Sequence, residues 1–210
     1  MKHVIFKDGS TAPVNNIYCI GRSYAEHISE LGNVPTGEPL VFLKPTTALS
    51  TDDTLRLPNY SEDIHHEVEL VIYIGEDVAD DQTPDLSCIL GYGIGLDLTA
   101  RDVQSHLKAK GMPWTTAKGF RDGAWLSILT KGIPTTHQIS LTVNGDIRQD
   151  DSTNKLLFDI AYQLNFLHEK FGLRQGDIVY TGTPKGVGRL VSGDTLIARL
   201  DAESYTIHIA

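Results

Sequence analysis

The chain has 210 residues, a formal net charge of −9 and a pI near 5.3, which argues against a nucleic-acid or anionic-membrane surface. Its length suits one packed domain over 1–210 with no linker, and no apolar run reaches the ~18 residues of a membrane span. The polar start Met1-Lys2-His3 does not read as a signal peptide, and two cysteines, Cys19 and Cys88, are too few for a disulfide framework, so the expected compartment is a reducing cytoplasm.

In chain order, Val4–Phe6, a turn at Asp8-Gly9-Ser10 and Ile17–Ile20 read as short strands. Tyr24–Leu31 has helical composition with Ser23 as a candidate N-cap, and His27 and Glu30 share a face of it at i, i+3. Taken alone, that pair reads as an incidental surface contact. The Gly- and Pro-punctuated run over 32–37 reads as a flap that could let the short helix close over a site. Leu40–Leu43 is a strand ending in Lys44-Pro45.

Glu67-Val68-Glu69-Leu70-Val71-Ile72-Tyr73-Ile74 reads as a largely buried strand. Residues two apart share a strand face, so Glu67 and Glu69 point together while Val68, Leu70, Ile72 and Ile74 point into apolar packing. For the pair alone, a wet sheet edge with Lys or Arg partners is the favoured alternative. Asp77–Pro84 reads as a polar loop, followed by a short helical stretch around Leu86–Leu90. In the next strand, Gly91, Gly93, Gly95 and Asp97 share one face, which predicts close approach by another backbone or a ligand. No helix opens after the third glycine, so this is not a dinucleotide fingerprint.

Thr99 is the expected cap of a helix from about Ala100 to Lys110. Arg101 and Gln104 lie at its Asp97 end, whereas Lys108 and Lys110 read as a solvated basic face. Trp114–Phe120 carries Lys118, and Ala124–Leu129 reads as a strand. Asn144-Gly145 marks a hairpin between Ile139–Val143 and Asp146–Gln149. Thr153 is the expected cap of a long helix over Lys155–Phe171, with Gly172 closing it and His168 at its surface or boundary. Ile178–Thr181 leads into the glycine loop over 182–188, which offers N–H groups and the Thr183 hydroxyl to an anion. Strands Thr195–Leu200 and Tyr205–Ile209 complete an α+β pattern dominated by curled antiparallel sheet.

Glu67, Glu69 and Asp97 form an all-oxygen donor set suited to Mg²⁺ or Mn²⁺, with Ca²⁺ a lesser fit and Zn²⁺ a poor one. A 2-oxo acid could fill two remaining positions through its carboxylate and keto oxygens, with Arg101, Gln104, Lys118 and Thr183 as donors. His65 and His66 are left as structural residues.

The ordered motifs His-His-Glu-x-Glu at 65–69, Leu-Asp-x-Thr-Ala-Arg-Asp-x-Gln at 96–104, Lys118 and Thr-Gly-Thr-Pro-Lys-Gly-Val-Gly at 181–188 resemble the fumarylacetoacetate hydrolase family. Gly21-Arg22-Ser23-Tyr24-Ala25-Glu26-His27 with Glu30 is similar to its short acylpyruvase and oxaloacetate decarboxylase branch. The resemblance implies a rolled, mixed β fold and a homodimer. It also implies Glu67, Glu69 and Asp97 as metal ligands, and His27 and Glu30 as a lid-borne catalytic dyad that reverses the surface-contact reading. Lys118 becomes a catalytic site cation, and Arg22, Arg101, Gln104 and Thr183 substrate contacts. The implied activity is acylpyruvate C–C hydrolysis through a pyruvate enolate. Oxaloacetate decarboxylation or tautomerisation, isomerisation of a muconate-type diacid, and non-catalytic organic-acid binding are the alternatives.

Overall fold

The computed structural model describes residues 2–32, 34 and 37–210. The 32–37 flap and the Met1 start therefore fall partly outside the described residues. The described chain is β-dominated and mixed, an α+β fold as the turn spacing predicts. An eight-stranded sheet runs Leu40–Lys44, Ile17–Gly21, Ile178–Tyr180, Val68–Ile74, Ile89–Asp97, Ala124–Leu126, Leu49–Ser50, with Thr130–Lys131 also pairing with Ile89–Asp97. A five-stranded sheet runs Asp146–Ser152, Gln138–Val143, Thr195–Leu200, Glu203–Ile209, Thr54–Leu55. A three-stranded sheet of Thr99–Ala100, Ile64–His66 and Gly188–Leu190 sits beside the glutamate segment.

Every residue of Val68–Ile74 is buried, because the strand lies in the middle of the large sheet with apolar packing on both faces. On one face, Val68 and Leu70 join Ile139, Leu141, Leu196 and Ile207 of the five-stranded sheet. Farther along, Ile72 and Ile74 meet Leu164 and Leu167. The opposite face, which carries the glutamates, continues into Val71, Tyr73, Ile17 and Tyr180. The two acids therefore end a hydrophobic face, and no water-filled sheet edge surrounds them.

The bare glycine face is filled by the chain itself. A Cβ on Gly95 would come within 2.6 Å of the Tyr180 ring and 2.7 Å of Val71. Tyr180 fills this space while its hydroxyl donates to the Trp125 carbonyl at 2.8 Å. The close approach predicted at these glycines is thus internal packing, and Asp97 alone projects beyond it.

Among the described residues four α-helices punctuate the sheets: α1 (Ala25–Glu30), α2 (Arg101–Ala109), α3 (Thr115–Lys118) and α4 (Ile160–Phe171). No helix among the described residues is long and apolar enough to cross a membrane. Three expected caps are replaced. Ser23 Oγ donates to the Ile20 carbonyl, so α1 begins without a side-chain cap. Thr99 is drawn into strand pairing opposite His65, which moves the start of α2 to Arg101. The long helix expected from Lys155 is shorter, because Asp159 accepts from the Tyr162 N–H and starts α4 at Ile160. Residues Thr153–Lys155 form a separate 3₁₀ turn, and the Leu157 N–H is spent on the Ser23 carbonyl. Gly172 closes α4 at φ 71°, as predicted, but His168 is buried and accepts from the Leu173 N–H.

Candidate active site

Strand register brings the three acids together. Val68–Ile74 pairs antiparallel with Ile89–Asp97, setting Glu69 opposite Gly95, and the Asp97 N–H donates to the Glu67 carbonyl at 2.8 Å. One carboxylate oxygen from each of Glu67, Glu69 and Asp97 lies within 4.8 Å of the others, and all three side chains are buried.

Cations answer the acids unequally. Lys118 Nζ lies 2.8 Å from both Glu67 Oε2 and Asp97 Oδ2, and Arg101 Nη2 lies 2.5 Å from Glu67 Oε1. Burial alone would raise the Glu67 carboxyl, but Lys118 and then Arg101 outweigh it and hold the group well below the usual carboxylate range. Glu69 accepts from the Gly182 N–H at 2.7 Å. Burial, then repulsion from Asp97 and Glu67, pushes its carboxyl well above the ordinary value. A hard dication among the three oxygens would supply the positive charge that Glu69 needs to stay ionised, and the donor set, all oxygen with no thiolate, fits such an ion.

Lys44, which the sequence reading left at the end of a strand, is a second fully buried lysine. Its Nζ lies 2.7 Å from Asp97 Oδ1 and donates to the carbonyls of Leu98, Gly123 and Lys118. It holds Asp97 in place and ties that residue to the segment carrying Lys118.

Above this floor, α1 places His27 on the wall of a cleft of about 470 Å³, a volume that includes its open mouth. His27 Nδ1 lies 3.2 Å from Glu30 Oε2, which directs Nε2 away from the carboxylate. Glu30 Oε1 accepts from the Gly186 N–H at 2.9 Å. A Cβ on Gly186, at φ 96°, would meet the Arg148 carbonyl at 1.9 Å, so only glycine presents this N–H to the helix. The glycine loop does bind anions, as predicted, but the anions found there are the chain's own Glu69 and Glu30.

The other predicted residues also reach the cleft. Arg22, Arg101, Gln104, Lys118 and Thr183 line it with His27 and the three acids, and Glu30 stands behind His27. Gln104 Oε1 accepts from Arg101 Nη1 at 2.8 Å. Thr183 lines the cleft with its hydroxyl already engaged within the chain. Its hydroxyl donates to the Val68 carbonyl at 2.9 Å and accepts from Gln149 Nε2 at 2.8 Å, so its proton is not available to an anion. His66 is structural, as read, with Nδ1 2.9 Å from Gln149 Oε1.

Two more residues escaped the sequence reading. Gln149 reaches from the hairpin to accept from the Val68 N–H, between the two glutamates, and to donate to Thr183 and the Pro184 carbonyl. No local pattern marks it. Lys108 is exposed, as its reading on a solvated face expects, but it also lines the cleft. Its spacing from Arg101 and Gln104, at i+7 and i+4, was the available signal.

The fumarylacetoacetate (FAA) hydrolase C-terminal family model matches residues 16–206. An oxaloacetate tautomerase of Escherichia coli (strain K12) is 39% identical over 204 residues, covering 94% of this chain and 93% of that protein. The mitochondrial oxaloacetate tautomerase of Mus musculus is 38% identical over 192 residues, covering 89% and 87%. The structure of fumarylpyruvate hydrolase from Pseudomonas aeruginosa, in complex with Mn²⁺ and pyruvate, superposes with a TM-score of 0.94 at 32% identity, covering 100% of this chain and 95% of that one. With the family model matching residues 16–206 and relatives 38–39% identical over most of its length, the chain belongs to the fumarylacetoacetate hydrolase family of enzymes.

Proposed function

We propose that the chain interconverts the keto and enol forms of oxaloacetate in this cleft, with Mg²⁺ or Mn²⁺ held by Glu67, Glu69 and Asp97. The observation that carries this reading is the His27–Glu30 pair on the wall of a small cleft floored by buried acids and Lys118. The tautomerase names of relatives 38–39% identical support oxaloacetate as substrate.

When bound, the dication would polarise the C2 keto group of the 2-oxo acid as a Lewis acid. Arg101 offers a fixed positive charge to the C1 carboxylate. His27 Nε2 takes a proton from C3; the C–H electron pair becomes the C2–C3 double bond, and negative charge moves to the C2 oxygen. The Lys118 ammonium stabilises that oxyanion, and protonation there gives the enol. Glu30 holds the His27 tautomer and offsets its charge once protonated. The reverse path returns the proton to C3, and no atom is lost.

Acylpyruvate hydrolysis is a second reading, favoured by the likeness to fumarylpyruvate hydrolase. His27 would then deprotonate a water for attack on the distal carbonyl. The C3–C4 bond breaks, its electrons pass to a pyruvate enolate, and the acyl group leaves as a carboxylate. The cell compartment is proposed as the cytoplasm, supported by Cys19 and Cys88 being free and buried. The assembly is proposed as a homodimer, supported by the apolar groove along the edge strand Leu40–Lys44, where Leu43 and Met112 are exposed.

The test follows decay of enol-oxaloacetate absorbance with protein stripped by chelator and then reloaded with Mn²⁺ or Mg²⁺. Metal-dependent acceleration is expected. Cleavage of fumarylpyruvate without acceleration of oxaloacetate tautomerisation would replace the first reading with the second, and full activity after stripping would remove the ion from both.

A further inference from the structure

The cations around the cleft fall into two groups. Lys44, Lys118 and Arg101 lie at the floor, each ion-paired to Glu67 or Asp97. Lys108 lies farther out on the same wall, exposed where Arg101 is half-buried, and among the described residues it forms no ion pair. Its ammonium stands 5.4 Å from the centre of the Trp114 ring, another residue of the cleft wall.

Helix geometry explains the separation. Arg101, Gln104 and Lys108 occur at i, i+3 and i+7 of α2 and share a face, with about 10 Å of helical rise from the first to the last. Arg101 therefore serves the acid floor while Lys108 serves the mouth, and Arg22 lines the same cleft. Burial, then repulsion from Arg22 and Arg101, lowers Lys108 from the ordinary lysine value. Arg101 is answered by Glu67 and Arg22 Nη1 donates to the Val34 carbonyl, so at the outer wall the Lys108 ammonium is the charge an entering anion would meet.

Resting on the 2-oxo acid reading above, we infer that Lys108 is a specificity-determining residue, which with Arg22 receives the distal carboxylate of a dicarboxylic 2-oxo acid. The metal-facing end of the substrate is common to every 2-oxo acid. The second carboxylate is what Lys108 can distinguish, because only a diacid carries negative charge to the outer part of the wall. A charge-assisted contact of this kind contributes about 1.5–3 kcal/mol, or roughly tenfold to a hundredfold in affinity.

The experiment compares oxaloacetate with its 4-ethyl monoester, which keeps the 2-oxo acid end and removes the distal charge. The wild-type protein, Lys108→Met and Lys108→Arg are each loaded with Mn²⁺. The ratio of kcat/KM for diacid over monoester is expected to fall about tenfold or more in Lys108→Met, mainly through KM for the diacid. Lys108→Arg is expected to recover most of the ratio. An unchanged ratio in Lys108→Met overturns the inference. So does a Lys108→Arg ratio no better than that of Lys108→Met, which would point to packing against Trp114. If the wild-type protein turns over neither compound, the tautomerase reading is what has failed. Calorimetric titration of the same two compounds then measures the Lys108 preference as a ratio of Kd values, with the same outcomes deciding it.

Discussion

The floor of the cleft and α1, the lid of the proposed mechanism, are built in opposite ways. Glu67, Glu69, Asp97, Lys44 and Lys118 are all buried, carried by or next to strands in the large sheet, with ion-pair distances of 2.7–2.8 Å around Asp97. The lid helix α1 has six residues, no side-chain N-cap, and ties to the glycine loop through Glu30 and through an exposed Glu26–Lys185 pair. A buried, crosslinked floor holds charges in place without reorganising, whereas a short tethered helix can leave and return. On the proposed mechanism, charge stabilisation belongs to the buried, crosslinked floor and proton transfer to the short helix above it.

The largest expected effect breaks the floor. Asp97→Ala removes one of three converging oxygens and strands Lys44 and Lys118 with reduced counter-charge in a dry site. Loss of Mn²⁺ binding, read by electron paramagnetic resonance, should accompany a fall in rate on the order of 10⁴-fold. A variant that still binds Mn²⁺ with wild-type affinity would refute the role given to Asp97. Breaking the lid instead, His27→Ala should cost about 10²–10⁴-fold in rate while leaving Mn²⁺ affinity within a factor of two or so. If both variants lost metal equally, floor and lid would not be separable.

Those residues were visible in the chain because their geometry is local. Period-two spacing put Glu67 and Glu69 on one face, the glycine alternation singled out Asp97, and i, i+3 spacing joined His27 to Glu30, but spacing alone favoured a wet edge and a surface contact for the two pairs, and the family resemblance supplied their roles. Lys44 and Gln149 were invisible for the converse reason. Lys44 acts through a strand at the sheet edge on a carboxylate 53 positions away, and Gln149 acts across 81 positions on the Val68 N–H. Their roles exist only once sheet order is known. Lys108 lay between these cases: the helical period placed it beside Arg101, but which face of α2 meets the cleft is decided by the elements opposite. The caps were misread where tertiary bonds competed, as when strand pairing claimed Thr99 and Asp159 displaced Thr153.

Gln149 offers a sharper test of floor rigidity. Its carboxamide accepts from His66 and Val68 and donates to Thr183 and Pro184 at 2.8–3.0 Å, so both ends are fully used. Gln149→Leu keeps the volume but leaves the buried Val68 N–H and Pro184 carbonyl without this partner, at about 1–3 kcal/mol each. Thermal unfolding should move down by several degrees, about 2–4 °C per kcal/mol for a chain of this size, with Mn²⁺ affinity also reduced. Lower stability with unchanged metal affinity would show that the clamp supports the fold without positioning Glu67 and Glu69.

The smallest effect is expected at the lid's outer tie. Lys185 Nζ lies 2.6 Å from Glu26 Oε2, and both side chains are largely exposed, so solvent and salt screen the pair. Glu26→Gln should change KM by less than about fivefold, and the wild-type KM should approach the variant's as salt rises. The pH dependence has a definite sign. The hydrogen bond from Lys185, then its charge, lowers the Glu26 carboxyl below its ordinary 4.5, so the tie is present above that value and is lost as pH falls through the depressed one. Between pH 8 and pH 5 the ratio of variant to wild-type KM should therefore stay flat. A ratio that collapsed within this window, or a kcat loss as large as that of His27→Ala, would mean that the exposed pair and the dyad operate as one unit. The division between a rigid floor and a weakly tethered lid would then have to be redrawn at Glu26.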